Sequence, residues 1–238
     1  MRSCRPDSEE LALRTVAFVP ARGGSKGLAG KNLAEVAGAS LVRRAVEVAH
    51  AAGLDDVVVS SDDDDILAEA SACGALAVRR DPSLAADDTS TIEVLQDFVV
   101  RRPEVEVLVL LQPTSPLRAP QDVRACLDAL DGADRVVTVT KNEHPMVWSF
   151  RVTSDDRLDP VLGWDAVATR RQDISPTYRL NGAVYALRTE AIRRGDPLVG
   201  PGTAVVVMPP ERSVDIDGEI DLELARTLAA RAASVQDQ

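Results

Sequence analysis

Short apolar runs alternate along this chain with stretches of helical spacing, and no other feature limits the fold as much. Thr15–Ala21 (TVAFVPA), Asp56–Ser61 (DVVVSS), Ala75–Arg80 (ALAVRR), Val105–Pro113 (VEVLVLLQP) and Arg135–Thr140 (RVVTVT) each read as a strand. Helices are expected between them at Leu41–Ala52, Asp63–Cys73, about Thr91–Arg101, and from Pro120 to about Asp131. Apolar runs joined by helical segments are the pattern of βαβ units, whose strands are buried on both faces and pair in parallel. The fold class expected is therefore α/β: a Rossmann-like, doubly wound, mostly parallel sheet with helices on both faces. Composition agrees, because hydrophobic residues make up 45% of the chain and aromatic residues only 3%. Such a core must be built largely from Val, Ala, Leu and Ile. The βα pattern resumes at Gly182–Arg188 (GAVYALR) and Thr203–Pro209 (TAVVVMP), and a helix is expected from about Glu219 to Ala233.

The span 141–176 breaks this rhythm. It carries both tryptophans, Trp148 and Trp164, and three prolines, Pro145, Pro160 and Pro176. Val147–Val152 (VWSFRV) reads as an antiparallel strand, so the span is expected to be an inserted arm rather than disorder. Residues 1–13 read as a flexible tail ahead of one domain, 14–238. They contain no apolar stretch of signal-peptide length, and no run reaches membrane-spanning length. Cys4, Cys73 and Cys126 are dispersed without metal or disulfide spacing. These features lead to the expectation of a soluble cytoplasmic protein. A formal net charge of −11 argues against nucleic acid or an anionic membrane as partner. It leaves room for a small anion held locally.

Three clusters fall at expected strand ends, where open α/β sheets bind ligands. The first, VPARGGSKGLAGKN (residues 19–32), places Arg22, Lys26 and Lys31 on one Gly-rich loop. Backbone N–H groups of such a loop, at Gly24 and Ser25 among others, suit phosphate oxygens, and the cations add charge. A Walker A loop is excluded, since Ser25 replaces its first glycine and Asn32 its Ser/Thr; the GxGxxG fingerprint is absent too. The second, LLQPTSPLR (Leu110–Arg118), sets Gln112 and hydroxyl groups between prolines at the end of the most apolar strand. The third, SVDIDGEIDLELA (Ser213–Ala225), alternates Asp215 and Asp217 in what reads as an extended segment. Both carboxylates would then face one side and could share Mg²⁺, or they could merely cap the following helix. Asp62–Asp65 are expected to be a helix cap and first turn.

With RRQDISPTYRLNGAVY (Arg170–Tyr185), these segments resemble the CMP-sialic acid synthetases, or acylneuraminate cytidylyltransferases, in order from about Val16 to Leu224. The resemblance implies activation of a 2-keto sugar acid by CTP and Mg²⁺ with release of pyrophosphate, in a homodimer. It implies that Arg22, Gly24, Ser25, Lys26, Lys31, Asn32, Arg80 and Ser90 bind the nucleotide, with Arg22, Lys26 and Asp217 acting in catalysis. Gln112, Arg171, Arg179, Asn181 and Tyr185 would bind the sugar acid, and Asp215 and Asp217 the metal. Ala29 stands where the family usually has proline, and the match over Asn142–Asp165 is loose. The acceptor consequently stays open to another acid, such as a deoxyoctulosonic acid or a phosphonate. A non-catalytic nucleotide-binding module is the alternative from a different class. No Ser-His-Asp or Cys-His arrangement is evident, with His50 expected on a helix surface and His144 a possible substrate contact.

Overall fold

The computed structural model describes residues 14–236, apart from Ser25, Lys26, Asp55, Asp87, Ala168, Thr169, Arg171 and Asp173. Its frame is a seven-stranded sheet. Strand β1 (Thr15–Pro20) is followed by a small hairpin, β2 (Glu35–Val36) and β3 (Ala39–Ser40), and by helix α1 (Leu41–Ala51). Next come β4 (Val57–Ser61), α2 (Asp64–Ala72), β5 (Leu76–Arg79), α3 (Thr91–Arg101), β6 (Val107–Leu110), α4 (Pro120–Ala129) and β7 (Arg135–Lys141). The chain then forms β8 (Phe150–Val152) and β9 (Leu158–Pro160), which pair only with each other, before β10 (Tyr178–Arg188), α5 (Thr189–Arg193), β11 (Ala204–Val207) and α6 (Glu219–Gln236).

The sheet order is β11-β7-β10-β6-β1-β4-β5. Every pairing is parallel except those of β10, which runs antiparallel to β6 and β7. The chain moves outward from β1 to β5, then crosses back to place β6 on the other side of β1. The switch point of the winding therefore lies between β1 and β6. Alternate residues of β1 feed two separate cores: Ala17 and Val19 pack with α1, α2 and α4, while Val16 and Phe18 pack with α3 and α5. Helices on both faces make the sheet doubly wound, as expected.

Most expected elements are present, and their ends have local causes. Ser40 caps α1 by accepting from Arg43 N at 3.0 Å, and Asp63 caps α2 by accepting from Asp65 N and Ile66 N. α4 opens on Pro120, and Asp122 reaches back to Ala119 N at 2.8 Å. The sequence reading missed the β2–β3 hairpin, β9 and α5. It also started the strand at Gly182, whereas β10 begins at Tyr178. Tyr178 and Leu180 flank Arg179 but are exposed rather than core-facing, and a register break between Leu180 and Tyr185 interrupts the alternation.

Candidate active site

The Gly-rich loop leaves β1 after Pro20 and is folded back on itself. The buried Asn32 amide donates to Arg22 O at 2.8 Å, and Gly23 N donates to Asp62 Oδ1 at 2.9 Å. Gly30 adopts φ +64°, a left-handed conformation that favours glycine, just ahead of the single 3₁₀ turn Lys31–Leu33. Gly27 lies so close to the segment after β11 that a Cβ there would come within 2.2 Å of Asp217 O. Lys31 completes the joint, its Nζ donating to Ile216 O at 2.8 Å and standing 3.5 Å from Asp217 Oδ1.

A cleft of about 480 Å³ opens at this joint, lined by Arg22, Lys31, Asn32, Arg80, Gln112 and Asp217 among others. It sits outside the carboxyl ends of β1 and β6, at the switch point. Arg80 is held by Ser60, through Nε to Oγ at 3.2 Å and Nη2 to the carbonyl at 2.8 Å. Burial lowers its pKa, and the Asp62 carboxylate works in the opposite direction. Two separated segments, the Gly-rich loop and the end of β5, thus bring three cations to one cleft in an acidic protein.

A second pocket of about 510 Å³, lined by Lys141, Arg179, Ser213, Asp215 and Asp217 among others, adjoins the first, and Asp217 borders both. Asp217 is 86% exposed at its side chain. Asp215 differs: its Oδ1 is sealed from solvent and has no hydrogen-bond partner. A buried carboxylate oxygen left without a partner costs free energy, and a hard cation shared with Asp217 would satisfy it. The residues therefore fit a divalent metal. No group of three or more His, Cys, Asp or Glu is arranged to hold one among the described residues.

The segment carrying these two residues is not a strand, contrary to expectation, but coil between the turn Pro210–Arg212 and α6. Tertiary bonds fix it instead. Arg212 donates to both carboxylate oxygens of Asp122, at 2.8 and 3.0 Å, and Ile216 N donates to Thr114 O at 2.8 Å. Helix capping falls to Asp221, whose Oδ2 accepts from Asp217 N and Gly218 N. Asp215 and Asp217 do not cap α6.

Other expected site residues are distributed unevenly. Arg179 lines the second pocket, and Gln112 the first. Gln112 Oε1, Ser115 Oγ and Asp215 Oδ2 converge on Gly182, where an added Cβ would meet the first at 2.7 Å. Tyr185 is buried in the core, its pKa raised first by burial and then by the Asp215 carboxylate. Asn181 does not open into either pocket: it is 1% exposed, accepts from Thr138 Oγ1 at 2.7 Å and donates to Ser213 Oγ at 2.9 Å. The bulge turns it inward, where it braces the carboxylate-bearing segment. Ser90 is likewise committed elsewhere, forming a capping box with Glu93 at the start of α3, while Thr89 and Thr91 line the cleft. Gly24 stands exposed on the loop, and His50 is exposed on α1 with Nδ1 3.1 Å from Leu54 O. Ser25, Lys26 and Arg171 lie outside the described residues. Sequence reasoning assigned no role to Arg118, though its motif was singled out; its burial shows only in three dimensions.

No helix is long and apolar enough to cross a membrane among the described residues. N-acylneuraminate cytidylyltransferase B of Danio rerio is 34% identical over 218 residues, covering 90% of this chain and 51% of that protein. N-acylneuraminate cytidylyltransferase of Streptococcus agalactiae serotype III (strain NEM316) is 30% identical over 215 residues, covering 88% and 52%. The chain spans about half the length of these curated relatives. Among solved structures, a CMP:2-keto-3-deoxy-manno-octonic acid synthetase complexed with CTP aligns with a TM-score of 0.69 at 19% identity, covering 92% of this chain and 99% of that one. A 4-diphosphocytidyl-2C-methyl-D-erythritol synthase from Anaerococcus prevotii DSM 20548 aligns at 0.62 and 15%, covering 92% and 97%. At these identities the two structures speak for the fold. The sequence model described as Cytidylyltransferase matches residues 16–194, and on that match over most of its length the chain belongs to the cytidylyltransferase family.

Proposed function

We propose that the protein transfers the cytidylyl group of CTP to a 2-keto sugar acid of the sialic (nonulosonic) type and releases pyrophosphate. The observation that carries this reading is the pair of adjoining pockets meeting at Asp217, one ringed by Arg22, Lys31 and Arg80 and the other by Lys141 and Arg179. The first has the charge for a triphosphate; in the second, Lys141 and Arg179 stand among five carboxylates, Glu143, Glu211, Asp215, Asp217 and Asp221, so a bound acid would rely on those two cations and on a metal held by Asp215 and Asp217. The names of the relatives supply the cytidine and the acceptor class.

In this reading the anomeric hydroxyl oxygen attacks the α-phosphorus from the second pocket, its proton passing to water, and the bond from the α-phosphorus to the bridging oxygen breaks as pyrophosphate leaves into the first. Catalysis of that kind rests on alignment and charge neutralisation rather than on a protein nucleophile. Arg22 and Lys31, with Lys26, hold the phosphates, and Arg80 adds a cation fixed by Ser60. Asn32 keeps the loop closed on Arg22 O. Asp215 and Asp217 would hold Mg²⁺, which when bound neutralises charge on the α-phosphate and on the leaving pyrophosphate. Arg179 meets the acid, and the CTP pool and unpaired cysteines fit a cytoplasmic location.

The arm would pair two subunits. Trp164 is 64% exposed and Trp148 39%, and Leu158, Leu162 and Leu180 are exposed in the same region. Each ring could bury about 150–250 Å² at low entropic cost, which suits an interface anchor.

Pyrophosphate release should be followed with CTP, Mg²⁺ and a panel of nonulosonic, octulosonic and phosphonic acids, with ATP, GTP and UTP as controls. Release with CTP and a nonulosonic acid alone supports the reading. Release with another acid class moves the acceptor, and none with any acid returns the chain to a nucleotide-binding module.

A further inference from the structure

Two arginines are buried among the described residues, Arg80 and Arg118. Arg80 lines the cleft; Arg118 lines neither pocket and is 3% exposed. Its guanidinium donates through Nη1 to Ala183 O and through Nη2 to Gln112 O. Those carbonyls belong to β10, next to its bulge, and to the segment just past the end of β6. The same backbone carries the Gln112 side chain into the cleft and presents Gly182 to Gln112 Oε1, Ser115 Oγ and Asp215 Oδ2. Arg118 therefore ties together the two pieces of chain on which the site converges.

The charge it brings is equally specific. Among nearby charges Asp215 acts on Arg118 most strongly, ahead of Arg44 and Asp122, and burial pushes the guanidinium down to about 9, still cationic at neutral pH. No hydrogen bond joins Arg118 to Asp215. A guanidinium free to turn is able to fork onto a carboxylate and occupy both its oxygens. The two carbonyls restrain it, and Asp215 Oδ1 keeps no partner. We propose that Arg118 is a positioning residue that locks the β6–β10 junction and anchors Asp215 electrostatically while leaving its Oδ1 unshared, ready for a divalent cation. This rests on the metal-dependent reading above.

Two variants test it. Arg118→Lys keeps the charge but cannot span two carbonyls, and Arg118→Met removes both. The measurements are kcat, KM for CTP, the Mg²⁺ concentration giving half-maximal rate, far-UV circular dichroism, and the thermal shift by CTP with and without Mg²⁺. Both variants should keep the fold and the metal-free CTP shift. The Mg²⁺ requirement should rise and kcat fall by about 10- to 100-fold, more for Met than for Lys, as for partners that orient metal ligands. Wild-type kcat and Mg²⁺ requirement in a folded Arg118→Lys overturns the proposal, and so does a loss confined to melting temperature. If Arg118→Met fails to fold, Arg118→Lys decides alone. If the wild type turns over no acid, the function proposed above falls; the Mg²⁺-dependent part of the CTP shift then decides, its loss in Arg118→Lys supporting the proposal and its retention overturning it.

Discussion

The cleft at the strand ends and the arm between β7 and β10 are built on opposite terms. In the cleft, irregular backbone is tied to the rigid sheet by specific bonds: Asn32 to Arg22 O, Arg80 to Ser60, Lys31 to Ile216 O, Arg212 to Asp122. In the arm, β8 and β9 pair only with each other, and the aromatic contact is Phe150 against Trp164 at 6.4 Å between ring centroids. Large apolar side chains there remain exposed. A region whose irregular backbone is tied down by its own bonds can act alone, whereas one that leaves apolar area in water calls for a second surface. Nucleotide handling should therefore be a property of one chain, and completion of the arm a property of two.

The largest effect expected is on chemistry at the point where the pockets meet. Asp217→Asn removes a charge from an 86% exposed side chain, so circular dichroism and melting should be unchanged. Turnover should fall by roughly a hundredfold, about 3 kcal/mol of transition-state stabilisation. Unaltered kcat would detach Asp217 from the reaction. Next comes the brace beneath the site. Asp122→Ala breaks the pair with Arg212 and the bond from Ala119 N, and should cost about 3 kcal/mol in denaturant unfolding. A loss under about 0.5 kcal/mol would mean the carboxylate segment is held by other means.

Much of this was legible in the sequence, and the reasons are local. Residues 107–111 are apolar throughout because β6 is buried on both faces, and Asp63 marks the helix start it caps, whereas Ser90, read as a nucleotide ligand, caps α3. The Gly-rich loop declared itself by holding two of the chain's three lysines, with Arg22, among four glycines. Asn181 and Arg118 could not be placed from sequence, since a bulge and a long-range crossing decide which way they face. The Asp215–Asp217 segment reads as a strand from its alternation, yet no neighbouring strand pairs with it; its shape comes from Asp122, which holds the adjoining Arg212, and from Thr114 and Lys31, all distant in sequence.

On the other side of the comparison, Trp164→Ala should leave each chain's stability within about 0.5 kcal/mol, because the ring is mostly exposed. Light scattering at micromolar concentration should nonetheless shift from dimer to monomer mass. A wild-type monomer would refute pairing through the arm. The smallest effect is at the cap: Ser90→Ala should cost about 1 kcal/mol of stability with KM for CTP unchanged. A raised KM with unaltered stability would instead return Ser90 to the nucleotide site.

The central claim is that the bond made and the bond broken both lie at the α-phosphorus of CTP, and the position of a label tests it most directly. The protein should be incubated with Mg²⁺ and a nonulosonic acid, once with CTP labelled at the α-phosphorus and once with CTP labelled at the γ-phosphorus. The α label should appear in the sugar acid product and the γ label in pyrophosphate. Gamma label in the acid, or as inorganic phosphate, would contradict the account.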